Sequence, residues 1–220
     1  MKTTKISNRT IMFTEKMAWD GTLLDLNLAL ILGARHNYII DTGLGCGSVA
    51  PIINYIKSNK KSTIVVNTHH DFDHVWGNCA FENSFIISHK TCLDFLEAEW
   101  DESFKAHSCL ANGAVHKCLP NLAFDKSLSF DDGVEIFHTP GHTAGCISVY
   151  DAVDKVLHAG DNIGDSNEEI VPYINTDRDT FKQLIETYRR YDFEICLSGH
   201  NSPQPKSVLD KMQSQLNLGG

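Results

Sequence analysis

Several features of membrane, secreted and nucleic-acid-binding proteins are missing from this sequence of 220 residues. It contains no run of about 18 apolar residues, so we expect no membrane-spanning helix. Its 19 basic residues against 28 acidic residues leave a net charge of -9, and we therefore expect no nucleic-acid partner. Residues 1–16 alternate polar and apolar side chains and lack the apolar core of a signal peptide.

The seven cysteines are odd in number and widely spread, unlike the framework of a disulfide-rich secreted protein. A reducing compartment is the simpler interpretation, and we expect a cytoplasmic protein. Low-complexity runs are absent, and 42% of the residues are apolar, which suffices for one buried core. We therefore predict a single domain over residues 1–220. The oligomeric state stays open, with a homodimer among the alternatives.

Short apolar segments predict strands in both halves of the chain. These strands are expected at residues 26–32, 37–41, 63–67, 85–88, 128–130, 134–137, 147–150, 156–158 and 194–197. Apolar residues at helical spacing predict helices at about 48–58, 93–104, 179–191 and 206–216. Ser48 is the expected cap of the first helix. Two β-sheets packed face to face, with helices outside, satisfy this order.

The densest group of metal-binding side chains directly follows the strand predicted before it. His69, His70, Asp71, Asp73 and His74 place three imidazoles and two carboxylates in six residues. Borderline and hard divalent ions prefer these ligands. Side chains at the alternate positions 69, 71 and 73 of a tight loop can converge on one point, while His74 points elsewhere. The segment can therefore contribute ligands to two metal ions. A polar surface loop is the plainer alternative, but it does not explain this density of ligand types.

Three further candidate ligands lie beside glycine at the ends of predicted strands. His142 lies in the turn-rich segment 139–146, Asp161 follows Gly160, and His200 follows the last predicted strand. Glycine lets the backbone approach a ligand closely. Each position alone is weak evidence, because a lone His or Asp at a strand end is more often a turn residue. Together with the histidine-rich segment they indicate one metal centre.

These blocks, in this order, resemble the metallo-β-lactamase superfamily, whose pattern is T-H-x-H-x-D-H, P-G-H-T-x-G, G-D and G-H. They span residues 68–200, and residues 39–43 are similar to the first hairpin of that family. The resemblance implies an α+β fold, a four-layer αββα sandwich of two mixed β-sheets flanked by helices. It also implies a metal-dependent hydrolase that uses a metal-activated hydroxide on a small ester, thioester, lactone or phosphoester.

Position by position, the resemblance implies two divalent metal ions and a small-molecule substrate. It assigns His69, Asp71 and His142 to the first metal. It assigns Asp73, His74 and His200 to the second metal, with Asp161 bridging both. Asp73 is then the expected catalytic carboxylate, which orients the attacking water and passes a proton.

Asp71 departs from the family pattern, which usually has histidine at this position. Three aspartates and a hydroxide roughly balance the charge of two divalent ions. The added oxygen ligand favours iron or manganese, whereas zinc is expected from the family. The flavodiiron branch is similar here, so the alternative function is a di-iron oxygen-binding or oxygen-reducing protein. His70 lies one residue early and is expected to face away.

Other residues with reactive or ligating side chains receive structural interpretations. Asp41 precedes a glycine-rich turn that lacks the third glycine of a dinucleotide loop, so we predict a tight turn with Asp41 supporting the site. Segment 105–125 is interpreted as a mobile lid, with a structural zinc at His107, Cys109, His116 and Cys118 as the alternative.

Aromatic residues and one cysteine are interpreted as packing residues. Trp76, Trp100 and Phe104 are expected in the core, with a share of them lining the substrate cleft. Cys146 is predicted to be a small buried residue with no catalytic role.

Overall fold

The first β-sheet of the computed structural model, which describes residues 1–218, has seven strands. Strands β1 to β4 pair antiparallel, and β4 to β7 pair parallel. In sheet order they are β1 (Lys2–Lys5), β2 (Thr10–Trp19), β3 (Thr22–Leu32), β4 (His36–Ile40), β5 (Ser62–Val66), β6 (Phe85–His89) and β7 (Leu122–Phe124).

The second sheet has six strands in the order β13-β12-β11-β10-β9-β8. All its neighbouring strands are antiparallel except β11 and β12, which run parallel. The strands are β8 (Ser127–Phe130), β9 (Val134–His138), β10 (Ile147–Asp151), β11 (Val156–His158), β12 (Ile195–Leu197) and β13 (Gln204–Pro205). Both sheets are therefore mixed, as predicted.

Five α-helices flank the sheets within the described residues. Short 3-10 helices at Trp76–Phe81, Ser108–Leu110 and Gly160–Asn162 complete the regular structure. No helix in residues 1–218 is both long and apolar enough to cross a bilayer. The α-helices are α1 (Cys46–Ile56), α2 (Phe72–Val75), α3 (Lys90–His107), α4 (Arg178–Arg189) and α5 (Val208–Leu218).

Strand β5 shows how the sequence pattern builds the layers. Its alternate residues Ile64 and Val66 pack between the two sheets against Ile136 and Val149 of the second sheet. Val65 points to the opposite face and packs with the α1 cluster. A parallel strand that is buried on both faces needs such a continuous apolar run. Helices α4 and α5 cover the outer face of the second sheet, which completes the predicted αββα order.

Ser48 is not the cap of α1, which corrects the prediction from sequence. The helix begins at Cys46 after Gly45, so Ser48 lies inside its first turn and is buried. Its hydroxyl accepts a hydrogen bond from the Leu44 N–H at 3.1 Å and contacts Glu15. Ser48 therefore stabilises the turn before α1 and does not cap the N-terminus of the helix.

The segment 105–125 packs against the start of α1, and its role as a mobile lid stays a prediction. Its backbone is bonded to the start of α1, because Asn112 exchanges hydrogen bonds with Leu44 and Gly47. No group of three metal-ligand atoms in residues 1–218 includes the paired histidines and cysteines of this segment. His116 instead contacts Glu82. The structure therefore does not support the structural-zinc alternative.

Candidate metal centre

The carboxyl ends of the central strands bring the candidate ligands together. The chain leaves β5 and enters residues 67–74, whereas Asp161 follows β11 and His200 follows β12. His142 lies in the turn between β9 and β10. β11 and β12 are parallel neighbours of the second sheet, so the loops that follow them lie at one edge, where the loop after β5 of the first sheet meets them. All seven side chains that the sequence singled out lie within this one cluster.

The first ligand group consists of His69, Asp71 and His142. Asp71 Oδ2 lies 3.1 Å from His142 Nε2 and 3.4 Å from His69 Nε2. The ligand atoms of these three residues lie within 4.8 Å of one another, which is a spacing that one metal ion can span. The carboxylate of Asp71 therefore occupies the place between the two imidazoles.

The second ligand group consists of Asp73, His74 and His200, with Asp161 between the two groups. Asp73 Oδ2 lies 3.3 Å from His200 Nε2 and 3.6 Å from His74 Nε2. Asp161 Oδ2 lies 3.2 Å from His200 Nε2, 3.3 Å from His74 Nε2 and 3.6 Å from His69 Nε2. One carboxylate oxygen thus faces imidazoles of both groups.

Two of the imidazoles are oriented by backbone carbonyl groups. His142 Nδ1 lies 2.8 Å from the carbonyl oxygen of Tyr173, and His200 Nδ1 lies 2.8 Å from that of Asp25. A carbonyl oxygen can only accept, so each Nδ1 carries the proton and each Nε2 keeps its lone pair for a metal. Sequence reasoning missed both partners, because a backbone carbonyl has no residue signature.

The other two imidazoles are oriented by one network around Asp41. His74 Nδ1 donates to Asp41 Oδ2 at 2.8 Å. Thr68 Oγ1 donates to the same carboxylate at 2.7 Å and lies 2.9 Å from His69 Nδ1, from which it accepts. The Thr68 N–H also donates to Asp41 Oδ1. This network supports the predicted role of Asp41 beside the site.

Asn162 is a further residue that sequence reasoning missed. Its Oδ1 accepts from the His142 N–H at 2.9 Å, and its Nδ2 donates to the Thr139 carbonyl at 2.9 Å. The amide therefore holds both ends of the turn that carries His142. In the sequence, Asn162 is marked solely by its position directly after Asp161.

Three buried polar atoms of the cluster indicate that its residues fit metal ions. His69 Nε2, His74 Nε2 and Asp161 Oδ1 make no hydrogen bond within residues 1–218, although all are shielded from solvent. Buried polar atoms normally have partners, and a coordinated ion supplies one. The Cα of Gly199 approaches closely, since a Cβ there would lie 2.2 Å from Asp161 Oδ1 and 2.6 Å from His74 Cε1.

The charges of the cluster depend on each other. Burial alone would raise the pKa of Asp161, but His74, His200 and His69 hold it well below its usual range. Burial alone would lower the pKa of His142, but the hydrogen bond to Asp71 and the charges of Asp161 and Asp71 raise it to about 9. The carboxylates therefore require positive charge beside them, which bound cations can supply in place of protons.

His70 faces away from both ligand groups, as predicted, but it is not a solvent-exposed loop residue. Its ring stacks on Phe95 at a centroid distance of 4.6 Å. Burial lowers the pKa of His70 to about 4 despite the opposing charge of Asp71. The ring lines a second cavity next to the site, described below.

A cavity of about 320 Å³ opens beside the ligand groups. Asp73, Asp161 and His200 line its base, and Trp19 and Tyr173 contribute to its walls. No lysine or arginine is among the residues that line it in the part of the chain that the structure describes. Because the cavity opens beside the ligand groups, a small substrate can reach the cluster through it.

Comparison with known families adds to this geometry. The family profile of the metallo-beta-lactamase superfamily matches residues 22–108 and 119–200, which include every candidate ligand. The chain belongs to the metallo-β-lactamase superfamily. Metal-dependent hydrolases are typical of this superfamily, and zinc is its typical metal. The predicted family, fold and enzyme class are therefore confirmed.

This superfamily member is similar to the acyl-coenzyme A thioesterase MBLAC2 of Gallus gallus, with 25% identity over 205 residues, 79% of this chain and 72% of the relative. It is also similar to the metallo-beta-lactamase of Pontibacter korlensis, with a TM-score of 0.80, 20% identity and 98% of each chain covered. The FIM-1 metallo-beta-lactamase of Pseudomonas aeruginosa, in its mono-zinc form, matches with a TM-score of 0.77, 16% identity, and 99% and 95% coverage. These structural matches establish the fold.

Proposed function

We propose that the protein is a dinuclear metal-dependent hydrolase that cleaves a small thioester or carboxylic ester. The observation that carries this proposal is the position of Asp161 Oδ2. It lies between the two ligand groups, within 3.6 Å of imidazoles on both sides. A carboxylate shared in this way suits two cations held side by side.

The ligand roles follow the two groups. His69, Asp71 and His142 hold the first metal, and Asp73, His74 and His200 hold the second, with Asp161 bridging both. In support, each group presents its ligand atoms within 4.8 Å of one another. The imidazoles are locked at Nδ1, so their Nε2 lone pairs are presented without a further change of rotamer.

Bound divalent metals supply an activated water and polarise the substrate carbonyl. The residues of the chain orient that reaction. Asp73 borders the cavity and has a buried side chain, so it is positioned to orient the attacking water and accept its proton. No serine or cysteine nucleophile is required, and Cys146 is buried, with burial raising the pKa of its thiol to about 12.

Two observations favour a thioester or ester over a phosphoester. The name of the similar chicken protein is that of an acyl-coenzyme A thioesterase. In addition, no lysine or arginine lines the cavity within residues 1–218, and phosphate recognition usually employs such cations. A thioester or ester therefore suits the electrostatics of the cavity better than a phosphoester does.

The identity of the first metal is a separate proposal, and it rests on Asp71. Its oxygen lies between His69 and His142 where the family pattern usually has a third imidazole. Oxygen ligands favour iron or manganese relative to zinc. This same observation favours the second candidate function, a di-iron protein that reacts with dioxygen.

The test combines elemental analysis with a substrate panel. Protein purified without added metal is analysed, then loaded with zinc, manganese or iron. It is assayed by chromatography on acetyl and octanoyl thioesters of N-acetylcysteamine and of coenzyme A. We expect two metal ions per chain and thioester cleavage. Metal-bound protein that consumes dioxygen and leaves all thioesters intact would establish the second candidate.

Matched variants test the ligand roles. We expect His69→Ala and Asp161→Ala to lower metal content and to reduce kcat/KM by at least about a hundredfold, since the site supplies the nucleophile. His116→Ala is the control, because this exposed histidine pairs with Glu82 and lies outside the cluster. Unchanged metal content and turnover in the first two variants would refute the assignments.

A further inference from the structure

A second cavity of about 540 Å³ lies between α3 and residues of the segment 70–76, which includes α2. All three tryptophans of the chain, Trp19, Trp76 and Trp100, line it. Leu96 and Phe95 add further apolar surface from α3. We refer to this space as the α3 groove.

The floor of the α3 groove is fixed by packing. Val75, Trp76, Leu96 and Trp100 are all buried and belong to one apolar cluster. Trp76 also meets the ring of Phe104 at a centroid distance of 5.4 Å. The groove is therefore part of the folded architecture, with apolar walls that favour an apolar ligand group.

The α3 groove lies beside the cavity at the metal centre and shares part of its wall. Trp19, Asp71 and Phe72 line both spaces. Asp71 marks the junction, since its Oδ2 faces His142 at 3.1 Å whereas its Oδ1 lies 3.7 Å from His70 in the groove. A substrate group in the groove thus lies directly beside the proposed reaction centre.

The charges around the α3 groove restrict its ligand. Glu99 and Glu102 lie at its exposed side, and Asp71 lies at the junction. No lysine or arginine within residues 1–218 lines the groove. Besides His70 and His107, the charged or titratable side chains of the groove are these three carboxylates, and repulsion between like charges would oppose the binding of an anionic group.

We propose that the α3 groove binds the acyl chain of the substrate, and that this chain is apolar and uncharged. The inference rests on the proposed hydrolase function, which places the scissile carbonyl near Asp71. The thiol or alcohol part of the substrate then occupies the cavity bordered by Asp161 and Tyr173. The groove selects acyl chains by length, because each methylene that enters it leaves water.

Binding can be measured directly because the three tryptophans line the groove. We titrate the protein with N-methylbutanamide, N-methylhexanamide and N-methyloctanamide and follow tryptophan fluorescence. Amides of this kind resemble the acyl part and resist cleavage. We expect the affinity to rise about fourfold for each added methylene. Affinities that do not depend on chain length would overturn the inference.

A charged analogue tests the electrostatic part. The mono-N-methylamide of octanedioic acid has the same chain with a carboxylate at its far end. We expect it to bind at least about tenfold more weakly than N-methyloctanamide, because its carboxylate is repelled by the carboxylates of Glu99 and Glu102. Equal or tighter binding of the charged analogue would contradict an uncharged acyl chain.

Two alanines of α3 provide a matched pair of variants. Ala106 lines the groove, whereas Ala98 is exposed on the same helix and lines neither cavity. We expect Ala106→Phe to weaken N-methyloctanamide binding at least about tenfold by filling the groove, with metal content unchanged. Ala98→Phe should bind as the unmodified protein does. Equal binding by both variants would overturn the assignment of the groove.

The hydrolase function and the groove can fail separately. Thioester cleavage with the same KM for acetyl and octanoyl substrates, and no effect of Ala106→Phe on that KM, would support the hydrolase and overturn the groove. Chain-length-dependent amide binding that Ala106→Phe removes, without any cleavage of thioesters, would support the groove and overturn the hydrolase.

Discussion

Asp41 shows how a single side chain can organise two imidazoles of the candidate metal centre. Its backbone has φ 61°, in the left-handed region that costs most non-glycine residues roughly 1–2 kcal/mol. This cost is offset by hydrogen bonds that the Asp41 carboxylate accepts from His74 and from the hydroxyl and backbone N–H of Thr68. Strain that is held in place by hydrogen bonds at a site is often part of its function. Asp41 is therefore a positioning residue for the proposed metal ligands.

We predict that Asp41→Asn weakens metal binding about 10- to 100-fold, the usual effect of losing a partner of a ligating histidine. Asparagine tolerates the left-handed backbone, so the substitution removes charge without changing the fold. Competition with a chelator measures the affinity. Asp179→Asn is the control, because the exposed Asp179 side chain pairs with Lys182 on α4, outside the cluster. If Asp41→Asn and the control variant bound metal with equal affinity, Asp41 would not be a positioning residue.

The clustering of the candidate ligand residues could be predicted from sequence, but most of their supports could not. His142 and Asp161 lie in recognisable blocks with glycine neighbours, so the structure places them where the pattern suggested. The carbonyl of Tyr173 is different, because any residue could provide it. Its position depends on how the loop after Asp161 returns to the site, which local sequence does not encode.

At the scale of elements, β5 and the β3–β4 hairpin were predicted from their apolar residues, most of which are buried. The strands β1, β2, β7 and β13 were not predicted, and β2 is a long inner strand of ten residues. β13 has only two residues, Gln204 and Pro205, and owes its place to pairing with β12. Such strands depend on tertiary contacts, so their sequences show no period of two.

Asp132 joins the hairpin turns of the two sheets at the edge away from the metal centre. It accepts hydrogen bonds from the Arg35 N–H at 2.8 Å, and from the His36 N–H and the Tyr38 hydroxyl at 3.0 Å each. Gly33 leaves room for this contact, since a Cβ there would lie 2.8 Å from the carboxylate. Burial alone would raise the pKa of Asp132, but these donors lower it to about 2.

We predict that Asp132→Asn lowers the free energy of unfolding by about 2 kcal/mol near neutral pH. A carboxylate with a lowered pKa stabilises the fold above its unfolded pKa of about 4 and loses that effect as the pH falls towards 2. The difference between unmodified protein and variant should therefore shrink between about pH 4 and pH 2 in urea titrations.

Asp131→Asn is the matched control for the Asp132 prediction. Asp131 neighbours Asp132, but its ion pair with Arg35 lies at the surface, with side chains 79% and 69% exposed. Surface pairs contribute little, so we expect a change below about 0.5 kcal/mol. If the two variants were equally stable, or the difference did not vary with pH, Asp132 would not join the hairpins energetically.

At the scale of the whole molecule, both halves of the chain share one core. Ile31 and Ile64 from the first half pack in the same cluster as Ile136, Ile147 and Val149 from the second. The candidate metal centre is divided in the same way, since residues 69–74 come from one half and the later ligands from the other. Metal binding should therefore stabilise the packing of the two sheets, because the ligands converge only in the folded chain.

We predict that free zinc at 100 times its dissociation constant stabilises the fold by about 2.7 kcal/mol per site. For a chain of this length, that raises Tm by about 5–10 °C. Calorimetry with and without zinc measures the shift. His142→Ala should reduce it because the first group loses a ligand, whereas His116→Ala on the 105–125 segment should retain it. A full shift in His142→Ala would mean that zinc stabilises the fold from a site other than the proposed one.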